Sequence, residues 1–264
     1  MRVFFTFRKA NFLILSIFAM LVIWQLAAWL IGREIILPTP LATFDSLLSI
    51  ITRDGFPAII GNTLRRVFIS FVLAFIPAVS LGIVAGFRRK VYDFLHPPVL
   101  VVRAIPIISI ILLAIIWLKA DSAPILAGFI MIFPMLYFNT VEGARAIDPK
   151  LLEMARLYEI RRSVLIRKLY LPAIRQYLLA GTLAAASMNL KTVIAAEVFS
   201  QPRLSIGTSF QIARVNLNTP ELFAWAVIVI FMASLFDIPL KLFGNIWKHR
   251  IIYSRVYVAL HRQP

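Results

Sequence analysis

The chain has 264 residues, 61% hydrophobic and 15% charged, with a mean hydropathy of +0.86. Soluble domains run at about half apolar and a quarter charged, so this balance excludes an ordinary water-soluble fold and indicates a membrane protein. The net charge of +16 falls between apolar runs, as positive-inside bias does rather than a nucleic-acid surface, and the absence of cysteine excludes disulfides, thiolate catalysis and thiolate-bound metals.

The first apolar run is 12–31, long enough as a helix to cross about 30 Å of hydrocarbon. Arg2, Arg8 and Lys9 precede it. No small-residue cleavage site follows, so an uncleaved helix with its N-terminus inside is expected. Thr39-Pro40 then reads as a helix start. Leu41, Phe44, Leu47, Leu48 and Ile51 share one face of that helix, which Asp54-Gly55 ends. Lying on the membrane surface and packing against the bundle fit this piece equally.

The second span is 67–86, where Gly82 and Gly86 allow another helix to approach closely. The third is 99–118, with Arg103 and Pro106 near its start, and the fourth is 123–141, with Pro134 inside. The fifth, 177–199, carries Lys191 and Glu197. The sixth, 222–243, carries Asp237 and Lys241 near its end. The expected fold is therefore an all-α membrane protein of about six spans in one domain covering 1–264. With the N-terminus inside, the cytoplasmic segments hold 18 Lys/Arg and the outer segments 7, which places both termini in the cytoplasm.

The segment 142–172 is too long for a tight connection and too patterned for a loose one. Asp148-Pro149 predicts a helix start, and 149–160 reads as one helix. Arg161-Arg162-Ser163 predicts a turn, with Ser163 capping a second short helix that runs to Tyr170 and stops at Pro172. This is a helix–turn–helix elbow on the cytoplasmic side. The eight basic residues of 142–176 also suit DNA binding, but both ends are tethered close to the bilayer, where a duplex has no access.

Glu153-Met154-Ala155, followed by Leu171-Pro172 with the proline nineteen residues after Glu153, resembles the "EAA…G…LP" loop of bacterial ABC importer permeases. The wider chain resembles the nitrate/sulfonate/taurine-type permeases over roughly 36–250. The matching stretches are Ile36-Leu37-Pro38-Thr39-Pro40, Arg103-Ala104-Ile105-Pro106, Asp148 through Ala155, Ala195-Ala196-Glu197 and Ser205-Ile206-Gly207. The resemblance implies a type I ABC importer permease fold in the cell inner membrane, with cytoplasmic coupling helices. Glu153, Met154, Ala155, Arg156, Glu159, Leu171 and Pro172 would form the ATPase-coupling element. It also implies three partners besides membrane lipid: a cytoplasmic ATP-binding cassette ATPase dimer, a second permease subunit as a homodimer, and an extracytoplasmic substrate-binding protein. ATP and magnesium would sit on the ATPase, and no cofactor or metal in this chain.

Glu159 stands where that family has glycine. Glutamate disfavours the left-handed turn that glycine permits, so the first coupling helix is expected to run on to Ile160–Arg161. Glu159 would then face a basic residue of the ATPase; a solvated side chain on a relaxed loop is the alternative.

Charges within spans are costly, so they are paired or functional. Lys191, well inside span five, either pairs with a carboxylate of a neighbouring helix or lines an anion's path. Glu197, about 240° further round the helix, meets the binding protein or gates the entrance at the outer end, or simply reaches water. Asp237 and Lys241 are spaced for a helical ion pair. Arg103 snorkels to headgroups or serves as a gate or anchor.

No Walker GxxxxGK[ST] sequence is present, so the chain is not itself an ATPase. No HExxH occurs, and His96, His249 and His261 are too scattered for a metal cluster. An ion-gradient-driven secondary transporter is the alternative function, but it calls for mid-membrane carboxylates and an inverted repeat, neither of which is evident.

Overall fold

A computed structural model describes residues 2–235 of the chain. The elements in order are α1 (Arg2–Ile31), α2 (Pro40–Thr52), α3 (Phe56–Phe87), α4 (Arg89–Ala104), α5 (Ile107–Trp117) and α6 (Ala123–Arg145). Then come α7 (Pro149–Leu157), α8 (Arg162–Leu165), a π-turn (Ile166–Tyr170), α9 (Leu171–Ser200), α10 (Ile206–Val215) and α11 (Thr219–Leu235). Four helices are long and apolar enough to cross a membrane, or five if the bent α4–α5 pair is one span. α11 is the described part of the expected sixth span; its continuation to 243, with Asp237 and Lys241, lies outside the described residues.

The centre of the fold is the packing of α3, α6 and α9. Between apolar helices in lipid, close van der Waals contact replaces the hydrophobic effect as the source of attraction, and small residues permit it. Gly82 lies against Thr140, where an added Cβ would come within 2.7 Å of the threonine Cβ, and Gly86 lies against Ala144. The expected small-residue approach of span two is therefore made onto α6. Gly128 sits against Asn189 and Ser70, Gly143 against Ile174, and Gly181 against Asn139. Asn189 is fully buried; its Nδ2 donates to the Val67 carbonyl at 2.8 Å and its Oδ1 accepts from Ser70 Oγ at 3.0 Å. A second apolar cluster joins Ile50, Val67, Leu190, Val193, Ile206 and Trp225, binding α2, α10 and α11 to the central helices. α1 stands at the edge, held by Trp24, which donates to the Pro38 carbonyl at 2.9 Å and packs on Phe223.

Two expectations need correction, and an alternative left open for α2 is resolved between them. The third span, 99–118, is not one helix: α4 and α5 meet at 92°. Pro106 removes an N–H and forces Ile105 out of helical geometry, to φ −69°, ψ 129°. The open alternative concerns α2, which starts as expected, with Thr39 accepting from Ala42 N at 3.2 Å. Of its apolar stripe, Leu41, Phe44, Leu48 and Ile51 are exposed, while Leu47 packs with buried Ile50 against the bundle, so the helix shares in both readings left open for it. An outward apolar face suits contact with lipid.

The second correction is the end of the elbow. Pro172 does not stop a helix. Residues 163–200 run as one continuous rod, with the π-turn placed just before the proline. There the Leu171 N–H bonds to the Ile166 carbonyl, five residues back. The wider ladder fits the helix around a residue that has no N–H to give. The rod begins one step earlier than expected, on the Arg161 carbonyl, which accepts from Val164 N and Leu165 N at 2.9 and 3.1 Å, and Ser163 lies inside it.

Candidate functional site

The elbow is built from short-range signals. Asp148 caps α7 by accepting from Lys150 N at 2.9 Å, with Pro149 in the first turn. Ala155 is the buried residue of α7, while Glu153, Met154 and Arg156 are exposed, as are Leu151, Leu157 and Tyr158. A short helix with one inward small residue and an outward apolar group has a face left for another surface.

Glu159 contradicts the expectation of a longer helix. It takes φ +49°, α7 ends at Leu157, and Ile160 N bonds to the Ala155 carbonyl at 2.9 Å. This six-to-one bond is the Schellman closure normally made over glycine. The glycine's conformation is kept without the glycine, because Tyr158 N and Glu159 N also find carbonyls, those of Met154 and Arg156, at 3.0 and 3.1 Å. Leu171 is exposed and Pro172 half-buried, both at the start of α9. The elbow is tied to the bundle by Phe87, edge-on to Tyr170 at 4.5 Å, and by Arg145, whose guanidinium lies 3.6 Å over the Tyr92 ring.

Lys191 and Glu197 are separated, as their spacing requires. Lys191 is exposed and forms no ion pair among the described residues. It lies on the outward stripe of α9 with Ala180, Ala184, Met188 and Ala195. Glu197 is fully buried, so it neither reaches water nor lies open at an entrance. Its Oε1 accepts from Arg66 Nη1 at 2.9 Å, and its Oε2 accepts from Thr63 Oγ1 at 3.0 Å and Gly207 N at 3.1 Å.

Arg66, itself buried, also donates to Asp121 and to the Arg203 carbonyl. Thr63 Oγ1 in turn accepts from Ile206 N at 3.1 Å. The cluster therefore clamps α3, α9, the turn before α6 and the start of α10 with charge-assisted bonds. Sequence reasoning singled out neither Arg66 nor Asp121 and missed this set. A signal was available: Thr63, Arg66, Ser70, Ala74, Ala78 and Gly82 fall on one helical stripe, which is the packed face.

Arg103 lies at the α4–α5 bend, its guanidinium 5.8 Å over the Phe138 ring. It lines a cavity of about 420 Å³ together with Pro134, Asn139 and Glu142 of α6 and Met188 of α9. Among the described residues, no group of three or more His, Cys, Asp or Glu is placed to hold a metal ion.

Residues 78–253 match the family described as "Binding-protein-dependent transport system inner membrane component". An aliphatic sulfonates transport permease protein of Bacillus subtilis is 27% identical over 218 residues, 81% of this chain and 78% of that protein. A taurine transport system permease protein of Escherichia coli is 22% identical over 224 residues, 83% of this chain and 81% of that protein. Among solved structures, an inward-facing methionine ABC transporter superposes with a TM-score of 0.62 at 16% identity. The match covers 71% of this chain and 94% of that one, and it is a likeness of fold.

Proposed function

We propose that this chain, which belongs to the family of binding-protein-dependent transport inner membrane components and is an ABC importer permease subunit, carries a small solute through a homodimeric pore. The solute is delivered by an extracytoplasmic binding protein, and transport is driven where 142–172 docks on a cytoplasmic ATPase dimer that holds ATP and magnesium. The observation that carries this reading is the α7 elbow. Its ends are fixed by the Asp148 cap and the Glu159 closure, and Met154, Leu157 and Tyr158 are presented outward. Glu153, Arg156 and Glu159 surround that apolar group with charges for a polar rim. Leu171 and Pro172 set the start of the rod that leads back into the membrane. The relatives named for sulfonate and taurine transport support a small-solute cargo.

The basic-residue asymmetry supports a cytoplasmic position for both termini. The outward stripe of α9 around Lys191, with its alanines, suits close approach of a second copy, and Lys191 then lies at the pathway between the two. Glu197 acts from behind this surface, holding the outer ends of the helices together.

The chain has no cysteine, so single cysteines report cleanly. Met154→Cys is expected to cross-link to the ATPase in membranes and to be shielded from an impermeant maleimide in intact cells, while Asp121→Cys is labelled from outside. Labelling of Met154→Cys from outside overturns the orientation. Failure of an ATPase to co-purify, with uptake insensitive to vanadate, overturns the coupling. Glu159→Arg is expected to abolish ATP-coupled uptake by reversing the charge at the dock; full uptake removes Glu159 from the interface.

A further inference from the structure

Arg66 holds two carboxylates of unlike standing. Glu197 is fully buried and accepts from Arg66, Thr63 and Gly207. Asp121 is 59% exposed on the connector between α5 and α6, and Arg66 reaches it through Nε, at 3.2 Å, and through Nη2. With one cation against two anions, Arg66 does not need Asp121 for charge balance. When the Asp121 bond breaks, its carboxylate turns to water, while Arg66 keeps Glu197 and the Arg203 carbonyl. When the Glu197 bond breaks, a buried charge is left without its counter-charge. The cluster therefore has one fixed jaw and one that can let go.

The releasable jaw holds the outer end of α5, a helix of 11 residues. Its seat is smooth: Ile111 packs on Ala127 of α6 and Ala196 of α9, with Ile107 and Ile115 beside it. Alanine gives such a seat no long side chain to interlock with. The opposite face of α5, with Ile108, Leu112 and Ile116, is exposed. At its inner end α5 meets α4 at 92°, and Pro106 has no N–H with which to tie the two helices together. Ile105 and Ile110 line the cavity of about 420 Å³ inside that bend, so there is open space at the pivot.

Resting on the importer reading above, we propose that α5 is a strap, hinged at Ile105-Pro106 and latched at its outer end by Asp121 on Arg66, and that the transport cycle releases this latch while Arg66 and Glu197 stay paired. Glu197 joins α3, α9 and α10 in both states. Asp121 decides whether the α5–α6 connector is joined to them. A cationic group presented at the outer face competes with Arg66 for the exposed carboxylate, so the latch is open to control from that side.

The test uses the permease–ATPase complex in lipid nanodiscs. Ala196 is fully buried under the strap and the chain has no cysteine, so Ala196→Cys reports on the seat. Asp121→Ala is expected to speed its labelling by a small methanethiosulfonate about tenfold or more, the worth of a charge-assisted hydrogen bond. Ala185→Cys, fully buried among α3, α6 and α9 away from α5, is expected to stay protected in the same background. Trapping the parent complex with ATP and vanadate is expected to speed labelling at Ala196→Cys alone. Equal labelling of Ala196→Cys with and without Asp121, or an equal rise at Ala185→Cys, overturns the latch. Unchanged protection on trapping, in a complex that does hydrolyse ATP, makes Asp121 a static tie and overturns it too. Absence of vanadate-sensitive hydrolysis in the parent sinks the importer reading instead, and the Asp121→Ala labelling then judges the latch by itself.

Discussion

Arg66 and Glu197 are 131 residues apart in sequence, yet Nη1 and Oε1 lie 2.9 Å apart and neither side chain reaches solvent. Breaking a buried pair by removing one partner costs more than the pair contributes, because the other charge stays behind in a poorly solvating environment. Glu197→Gln is expected to lower stability by about 3 kcal/mol or more, read as a fall in thermal midpoint in detergent. The double change Arg66→Met with Glu197→Met is expected to lose less than either single change. A double loss equal to the sum of the singles shows that the two residues are independent.

Gly207 touches the same cluster. A Cβ there would run into the Cβ of Glu197 and the backbone of Val198, neither of which is a free side-chain end. Gly207→Ala is therefore expected to destabilise by about 1–3 kcal/mol and to loosen the 201–206 turn, checked by thermal unfolding and by faster amide exchange at Ile206.

Glu159 offers the opposite sign. Holding a non-glycine residue in the left-handed region costs about 1–2 kcal/mol, so Glu159→Gly is expected to stabilise the elbow by about 1 kcal/mol. Slower exchange of the Ile160 amide, whose bond closes the α7 terminus, is the direct reading. Glu159→Val, β-branched and ill-suited to φ +49°, moves the same amide the other way.

Tyr137 is fully buried, and its hydroxyl has no hydrogen-bond partner among the described residues. An unpaired buried polar group is a cost. Tyr137→Phe is expected to match or exceed the parent's thermal midpoint; a clear fall shows that the hydroxyl has a partner in the assembled transporter.

Lys191→Met is expected to lower uptake while leaving purification with the ATPase and with the second copy intact. Unchanged uptake takes Lys191 out of the pathway.

Much of the architecture was legible because a bilayer leaves a chain few choices. Apolar length marked the spans, and the caps at Thr39 and Asp148 are local chemistry that three or four residues specify. Other features turned on what a residue meets in space. Pro106 was visible, but whether a proline bends a span or starts a new helix depends on what packs against the freed backbone. Glu159 was judged by its intrinsic preference, which the surrounding carbonyls outvote. Glu197 was left between the binding protein, a gate and water, none of them its buried partners, because its partner is set by the 131-residue return of the chain from α3 to α9. The cavity that Arg103 and Glu142 both line depends on how α4, folded back at the bend, meets α6, and neither local sequence encodes that meeting.

The π-turn ahead of Pro172 gives the chain a mechanical property. Because 163–200 is unbroken over 38 residues, it is a beam about 57 Å long with no joint in it. A push at its inner tip is delivered as tilt at the far end, beside Lys191 and the buried end of Glu197, instead of being absorbed as local bending. The wide turn absorbs one extra residue without changing the phase of the beam. Deleting one residue from 166–170 would wind the turn back to α and leave tip and shaft nearly in phase, whereas deleting one from 173–190 would rotate the tip by about 100° relative to the far end. The wide turn is thus a slip ring on a drive shaft, the one place along the rod where the chain can lose a residue and keep its two ends aligned.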